Sequence, residues 1–293
     1  MPHQRCWKKY NKSLVNRGSI TFWVDPDFLK NHPGTESTKG RPRYKKTIIQ
    51  TGWLLKTLYH LTFRSLEGFF NSLLKIIGAD LISPDYSLFC KRSRDVEEIL
   101  KKLSKRRPKE IILDASGLKI FGEGEWKTHK HGRDQKRRWI KLHVSVDPKT
   151  GECISTNVTN EKGADCKQVP VLLKSTPKTV KRVYGDGAYD TRECRDLFYQ
   201  KGIQEIIPPR KGARIRKGEG IQRRNQAISE ILGLGRDRDL WKKLKRYGKR
   251  SLVETFFSRL KTTFGEILAC KKWENQLIET NLKVKILNQM NAA

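Results

Sequence analysis

WIKLHVSVDPKTGECISTNVTN, Trp139 to Asn160, decides the fold. In its first half Ile140, Leu142, Val144 and Val146 alternate with other residues, so they share one face of a strand with a period of two. Asp147-Pro148 ends the run, and Lys149-Thr150-Gly151 supplies a turn. CISTNVTN then reads as a second β-rich run, so the two strands are antiparallel neighbours. Working outward, EIILDASGLKIF, from Glu110, starts as a buried strand with Ile111, Ile112 and Leu113 in a row.

Downstream, the period changes. VPVLLKS reads as a helix. VKRVYGD is a short strand ending in Asp186. TRECRDLFYQKG reads as a helix with Thr191 as cap and Gly202 as stop, and QEIIPPRKG is a last strand that breaks at Pro208-Pro209. Antiparallel strands followed by alternating α and β units describe an α/β protein with a ribonuclease-H-like core: a mixed sheet flanked by helices.

Upstream of the sheet, Lys45 to about Leu103 has a helical period. TIIQTGWLLKTLYHL sets Ile48, Leu55 and Leu58 near one face. RSLEGFFNSLLKIIG repeats the pattern and stops at Gly78. Ser83-Pro84 reads as an N-cap followed by proline. Short connections between such helices resemble a helix-turn-helix-like bundle. The expected organisation is therefore a basic arm or linker over 1–43, a helical domain of DNA-binding type over 44–108, and a catalytic domain over 109–290. A short, highly basic insertion with few apolar anchors lies near 210–246. Within the arm, Ile20 to Val24 reads as a strand or docking segment, and Asn31 to Arg43 as a linker.

Composition narrows the partner. The 293-residue chain carries 62 Lys and Arg against 31 Asp and Glu, a formal charge of +31 spread along its length. That excess suggests a polyanion, with nucleic acid the default. Cys6, Cys90, Cys153, Cys166, Cys194 and Cys270 form no C-x-x-C pair, which fits a reducing cytosol better than a disulfide framework or a zinc site. There is no run of about twenty apolar residues, so the expectation is a cytoplasmic, nucleoid-associated protein without a membrane partner.

RYGKRSLVETFFSRLKTTFG, Arg246 to Gly265, holds one acidic residue, Glu254. Wound as one helix of roughly 100° per residue, it puts Tyr247, Arg250, Glu254 and Lys261 in a stripe about 60° wide. Val253, Phe256, Phe257, Leu260 and Phe264 form the adjacent buried face. Glu254 then sits at the rim of the core. An ordinary i, i+4 ion pair with Arg250 would account for it alone, at a few tenths of a kcal/mol. Two further carboxylates change the balance. Asp114 follows a buried strand, and Asp186 ends another between Gly185 and Gly187, glycines that would let a substrate backbone approach. Three carboxylates from two strands and a helix could converge on divalent cations, whose preferred ligands are oxygens. Two such ions about 4 Å apart can activate the attacking oxygen and stabilise the leaving one in phosphodiester cleavage.

Other candidates read more plainly. His129 and His131 lack zinc-ligand partners at suitable spacing and belong to a basic loop with Arg137 and Arg138, suited to DNA. Asp147 reads as a turn residue, Glu193 as favourable at a helix start, and Cys194 as a small buried residue. Tyr189 reads as a core tyrosine, with stacking on a base as the alternative.

Tyr247, Arg250, Glu254 and Lys261 match Y-x2-R-x3-E-x6-K, and with ILDASGLKIFGEGEW and VYGDGAYDT the chain resembles the DDE transposases of bacterial insertion sequences, in the supergroup numbered four and five. The resemblance covers about residues 44 to 290. It implies Asp114, Asp186 and Glu254 as catalytic metal ligands for Mg²⁺ or Mn²⁺, two ions in all. Tyr247, Arg250 and Lys261 would contact DNA or position Glu254. It also implies cleavage at a transposon end to free a 3′-hydroxyl, strand transfer into target DNA, and a homodimer on the terminal inverted repeats. The alternatives are a catalytically inactive or domesticated DNA-binding protein of the same fold, and a nuclease that cuts without joining.

Overall fold

The computed structural model describes residues 6–24, 44–79, 81–120 and 139–292. In chain order, the first helices are α1 (Trp7–Gly18), α2 (Ile20–Trp23), α3 (Lys46–Leu58), α4 (Phe63–Ile76), α5 (Tyr86–Lys91) and α6 (Glu97–Leu100). The strands β1 (Glu110–Ile120), β2 (Trp139–Val146) and β3 (Cys153–Asn160) follow, then α7 (Asp165–Lys174), β4 (Arg182–Tyr184), α8 (Arg192–Gln200) and β5 (Gln204–Ile206). The chain ends with α9 (Gln222–Gly233), α10 (Arg238–Leu244), α11 (Leu252–Phe264), β6 (Ile267–Leu268) and α12 (Trp273–Ala292). It divides into two compact units, one of Met1–Lys102 with Ala269–Ala293, the other of Leu103–Leu268.

The helical unit closes around α3. Ile48, Ile49, Trp53 and Leu55 are buried, and the Trp53 indole donates to the Phe89 carbonyl at 2.9 Å. Gly52 lies against Phe89, whose ring a Cβ would overlap. Gly78 takes φ +67° and stops α4 as expected, and the Ala79 amide returns to the Leu74 carbonyl. Asp85, not Ser83, caps α5, accepting from the Ser87 amide at 2.7 Å. Ile20–Trp23 is a helical turn, not a strand. The stretch Asn31 to Arg43 lies outside the described residues.

The last helix departs from the expected catalytic domain ending at 290, since α12 belongs to the helical unit. Glu279 accepts from the Ala269 and Cys270 amides, both at 2.9 Å, and pairs with Lys283 at 3.2 Å. Leu282, Val284, Ile286 and Leu287 are buried, and so are Asn275, Gln276, Thr280 and Asn288. Only Leu277, Asn281, Lys285 and Gln289, four residues apart, form a less buried stripe, and polar residues share the buried faces, so no apolar stripe marks the helix's partner in the sequence.

The other unit is built on a six-stranded mixed sheet of order β3-β2-β1-β4-β5, with β6 beside β1. β2 runs antiparallel to both β1 and β3, and β4, β5 and β6 run parallel to their neighbours. This is the ribonuclease-H-like arrangement expected from the strand and helix order. Between β2 and β3, Asp147 is the turn residue: its carboxylate accepts from the Lys149 amide at 2.9 Å, and Gly151 takes φ +71°. Ile111 and Leu113 pack with Val169 and Leu172 of α7 and with Cys194 and Phe198 of α8. Because strand side chains alternate, Ile112 and Asp114 point to the opposite face, which α11 covers.

The basic segment 210–246 differs from expectation. It forms α9 and α10, anchored by buried Ala227, Ile228, Ile231 and Trp241, and the Trp241 indole donates to Glu230 at 2.8 Å. A buried ionic network ties the segment to the sheet unit. The Arg195 guanidinium lies 3.0 Å from Asp190 and 3.3 Å from Glu205, and Arg224 and Arg223 reach the same two carboxylates at 3.0 and 3.4 Å.

Candidate active site

The site begins with register. β1 and β4 pair Glu110 with Arg182, Ile111 with Val183 and Ile112 with Tyr184. Carried two residues further, the same offset sets Asp114 opposite Asp186, where β4 has ended and the strands part. A site at the carboxyl end of a strand, where neighbours diverge, is the usual place for one in an α/β sheet.

Each aspartate is held by its own neighbourhood. Asp114 Oδ1 accepts from the Ala115 amide at 2.9 Å, and Asp186 Oδ1 from the Ala188 amide at 2.8 Å. Gly185 is required by packing, since a Cβ would sit 2.9 Å from Cδ2 of Tyr189. At Gly187 a Cβ would meet only the Pro208 carbonyl, at 3.9 Å, an ordinary contact. The expected role of both glycines, admitting a substrate backbone, is replaced at Gly185 by support from the Tyr189 ring. Tyr189 itself is buried, which settles it as a core residue and removes base stacking.

The third element departs from a single long helix. Arg246 takes a left-handed φ of +52°, Tyr247–Ser251 form a 3₁₀ turn, and α11 starts only at Leu252. The buried face is as expected, with Val253, Phe256, Phe257, Leu260 and Phe264 against the core. Within the turn, the Tyr247 hydroxyl donates to the Gly185 carbonyl at 3.2 Å. Burial pushes this phenol up to about 12, so it stays a neutral donor.

Arg250 joins the three carboxylates. Its guanidinium lies 3.0 Å from Asp114 Oδ2 and 4.0 Å from Asp186 Oδ2, and it hydrogen-bonds Glu254 Oε1. The Arg250 side chain is only 22 % exposed, whereas that of Glu254 is 60 % exposed. Lys261 does not join this group; it lies 3.9 Å from Glu266. Arg137, Arg138, His129 and His131 lie outside the described residues.

The electrostatics leave the cluster short of positive charge. Burial raises the Asp114 carboxyl above its usual range; Arg250 and the Ala115 amide oppose this, while Asp186 and Asp165 add to it. Asp165, at the first turn of α7, belongs to no motif in the sequence. It lies 2.8 Å from Lys141 Nζ and 3.1 Å from Nδ1 of the fully buried His143. The Tyr189 hydroxyl has no protein hydrogen-bond partner among the described residues. Burial lifts this phenol well above its usual range, and the charges of Asp165, Asp114 and Asp186 lift it further.

Among the described residues no three His, Cys, Asp or Glu side chains gather closely enough to hold an ion as they stand, and Arg250 occupies the space between the carboxylates. The donor set nonetheless fits a hard dication. All three groups are oxygen ligands, and one guanidinium faces three carboxylates, too little positive charge to neutralise them.

A family described as Transposase DDE domain matches residues 105–288, and a second family of the same description matches residues 15–123. The structure of a piggyBac transposase synaptic complex with hairpin DNA is similar at a TM-score of 0.44 and 11 % identity, covering 95 % of this chain and 75 % of that one. The Mos1 strand transfer complex is similar at a TM-score of 0.26 and 10 % identity, covering 78 % and 81 %. The Mos1 mariner paired-end complex with Mn gives 0.24 and 11 %, covering 90 % and 89 %. With these scores below 0.5, the assignment rests on the family match, which spans more than half of the chain: the protein belongs to the transposase DDE domain family.

Proposed function

We propose that this transposase belongs to the insertion-sequence type carrying Y-x2-R-x3-E-x6-K, and that Asp114, Asp186 and Glu254 are its catalytic carboxylates. The observation that carries this reading is the clasp of three carboxylates from β1, the end of β4 and α11 by the single guanidinium of Arg250. In a chain of net charge +31, a locally anionic site is a specific construction.

Asp114, Asp186 and Glu254 would hold Mg²⁺ or Mn²⁺. When bound, such ions supply Lewis acidity at the scissile phosphate and lower the pKa of the attacking oxygen. The chain's own residues prepare the site. Arg250 keeps the mutually repelling carboxylates together before the ions arrive. Tyr247 fixes the Gly185 carbonyl and so the backbone leading to Asp186. Asp114, with its raised pKa, must shed any proton before it can serve as a ligand. Lys261, two turns along α11 from Glu254, offers a point charge to a backbone phosphate.

The reaction that follows is hydrolysis at a transposon end, which leaves a 3′-hydroxyl, and attack of that hydroxyl on target DNA. Joining two ends to one target requires a dimer on the terminal repeats, inside the cell at the nucleoid. No described helix is long and apolar enough to cross a membrane.

The test is cleavage of supercoiled DNA bearing the flanking terminal repeats, with Mg²⁺ or Mn²⁺, by the wild type and Glu254→Gln. Metal-dependent cleavage at the 3′ ends, lost in the variant while DNA binding persists, supports the reading. Tight binding without cleavage by either protein overturns it. Cleavage without any joined product would reduce it to a nuclease.

A further inference from the structure

We propose that a basic cavity at the foot of the sheet seats the phosphodiester backbone of the DNA strand that enters the carboxylate site; this rests on the transposase reading above. The cavity, about 860 Å³, lies where β1 begins and the β2–β3 turn folds over. Its charged lining includes Arg106, Arg107, Lys109, Lys149 and Lys249.

The two carboxylates in the lining are already engaged. Glu110 lies 2.5 Å from both Arg182 and Lys249, and Asp147 accepts from the Lys149 amide and the Thr150 hydroxyl at 2.9 and 3.0 Å. Arg106 is 2.9 Å from Glu152. Arg107, Lys109 and Lys149 are exposed and take no carboxylate partner among the described residues. Three unpartnered cations around one concavity match a run of phosphates better than a single anion, because they are spread over two loops.

Position identifies the strand. The turn Tyr247–Ser251 borders both places: Arg250 faces the carboxylates, and Lys249 lines the cavity. From Glu110 to Asp114 is four residues of β1, or about 13 Å at the rise of a strand. That equals roughly four nucleotides of a duplex strand at 3.4 Å each. A strand whose scissile phosphate reaches Asp114 and Asp186 would thus bring its neighbouring phosphates over Lys109 and Lys149.

The experiment compares two triple variants of the full chain on a short duplex of arbitrary sequence, across a series of salt concentrations. Arg107, Lys109 and Lys149→Ala empties the cavity of its unpartnered cations. Lys174, Lys178 and Lys201→Ala removes the same charge from exposed positions at or just beyond the ends of α7 and α8. Each lost phosphate contact lowers the slope of log affinity against log salt by about 0.9. The cavity variant is expected to lose two to three such contacts and the distal variant fewer than one. Equal losses, or an unchanged slope in the cavity variant, overturn the inference. Glu254-dependent cleavage by the wild type is measured alongside. Where that dependence holds and the two triple variants match, only the cavity fails; where it is absent, the transposase reading fails.

Discussion

Two arginines in the same unit are each surrounded by carboxylates, and the surroundings differ in charge. Arg195 is 1 % exposed and shares Asp190 and Glu205 with Arg223 and Arg224, so three guanidiniums face two carboxylates. Arg250 faces three carboxylates alone. The consequence shows in the acids. Burial opposes ionisation of Asp190, yet the Arg210 amide and the guanidiniums of Arg195 and Arg224 outweigh it and hold that carboxyl below its usual range. At Asp114 burial wins and the carboxyl rises. A saturated ion cluster is a structural joint; an undersaturated one is a seat for a cation that arrives later.

The comparison breaks first on activity. Asp114→Asn is expected to reduce DNA cleavage by about a thousandfold or more while DNA binding and fold remain, since removal of a group acting in a concerted site commonly costs that much. Asp190→Asn, although it changes the same type of residue close in sequence to Asp186, should reduce cleavage only as far as it lowers the folded fraction. Single-turnover cleavage, scaled to folded protein by circular dichroism, separates the two.

Stability should show the reverse order. Arg195→Met removes the guanidinium that joins two buried carboxylates, leaving Asp190 to Arg224 and Glu205 to Arg223, and is expected to cost about 2–3 kcal/mol in denaturant unfolding. Arg250→Met leaves Glu254, already 60 % exposed, and Asp186 free to hydrate, and lets Asp114, whose carboxyl burial already raises, take up a proton, so a change of about 1 kcal/mol or less is expected. Similar losses in both variants would erase the distinction.

A finer test is acid titration followed by carboxyl carbon NMR. Asp190, with its folded pKa below the unfolded value near 3.9, contributes stability above that pH and loses it as pH falls through the folded pKa. Asp114 has the opposite sign: its contribution is full below about pH 3.9 and is lost as pH rises through the raised folded pKa. On acidification Asp114 should therefore protonate before Asp190. Divalent-metal affinity should weaken over the range in which Asp114 takes up its proton.

Much of this is legible in the sequence. The alternation from Ile140 to Val146 gave β2 its face, and Val253, Phe256, Phe257, Leu260 and Phe264 gave α11 its buried side. The start of α11 was not legible. A left-handed Arg246 and a 3₁₀ turn at Tyr247–Ser251 depend on the tertiary bond from Tyr247 to Gly185, 62 residues away, which no local pattern encodes. In the basic segment, Ile228 and Ile231 with Asp237 as an N-cap were a helical signal, but a weak one among so many cations. Asp165 offered none, because its proximity to Asp114 arises only when α7 folds against the sheet.

β1 also has a gap along one edge. β4 accompanies it from Glu110 to Ile112 and β6 at Lys119 and Ile120, so residues 113–118 have a partner only in β2. The Lys119 amide points toward β6, which assigns the alternate amides of Ala115 and Gly117 to the open edge, while the pairing of Ile112 with Tyr184 takes up that of Leu113. Of these, Ala115 finds its acceptor in the carboxylate of Asp114 itself. The strand that holds the first aspartate should therefore exchange its amide protons in alternation, slowly where β2 protects them and faster along the gap. Ala115 would act as a built-in clock, its exchange rate changing whenever the Asp114 carboxylate turns to another partner.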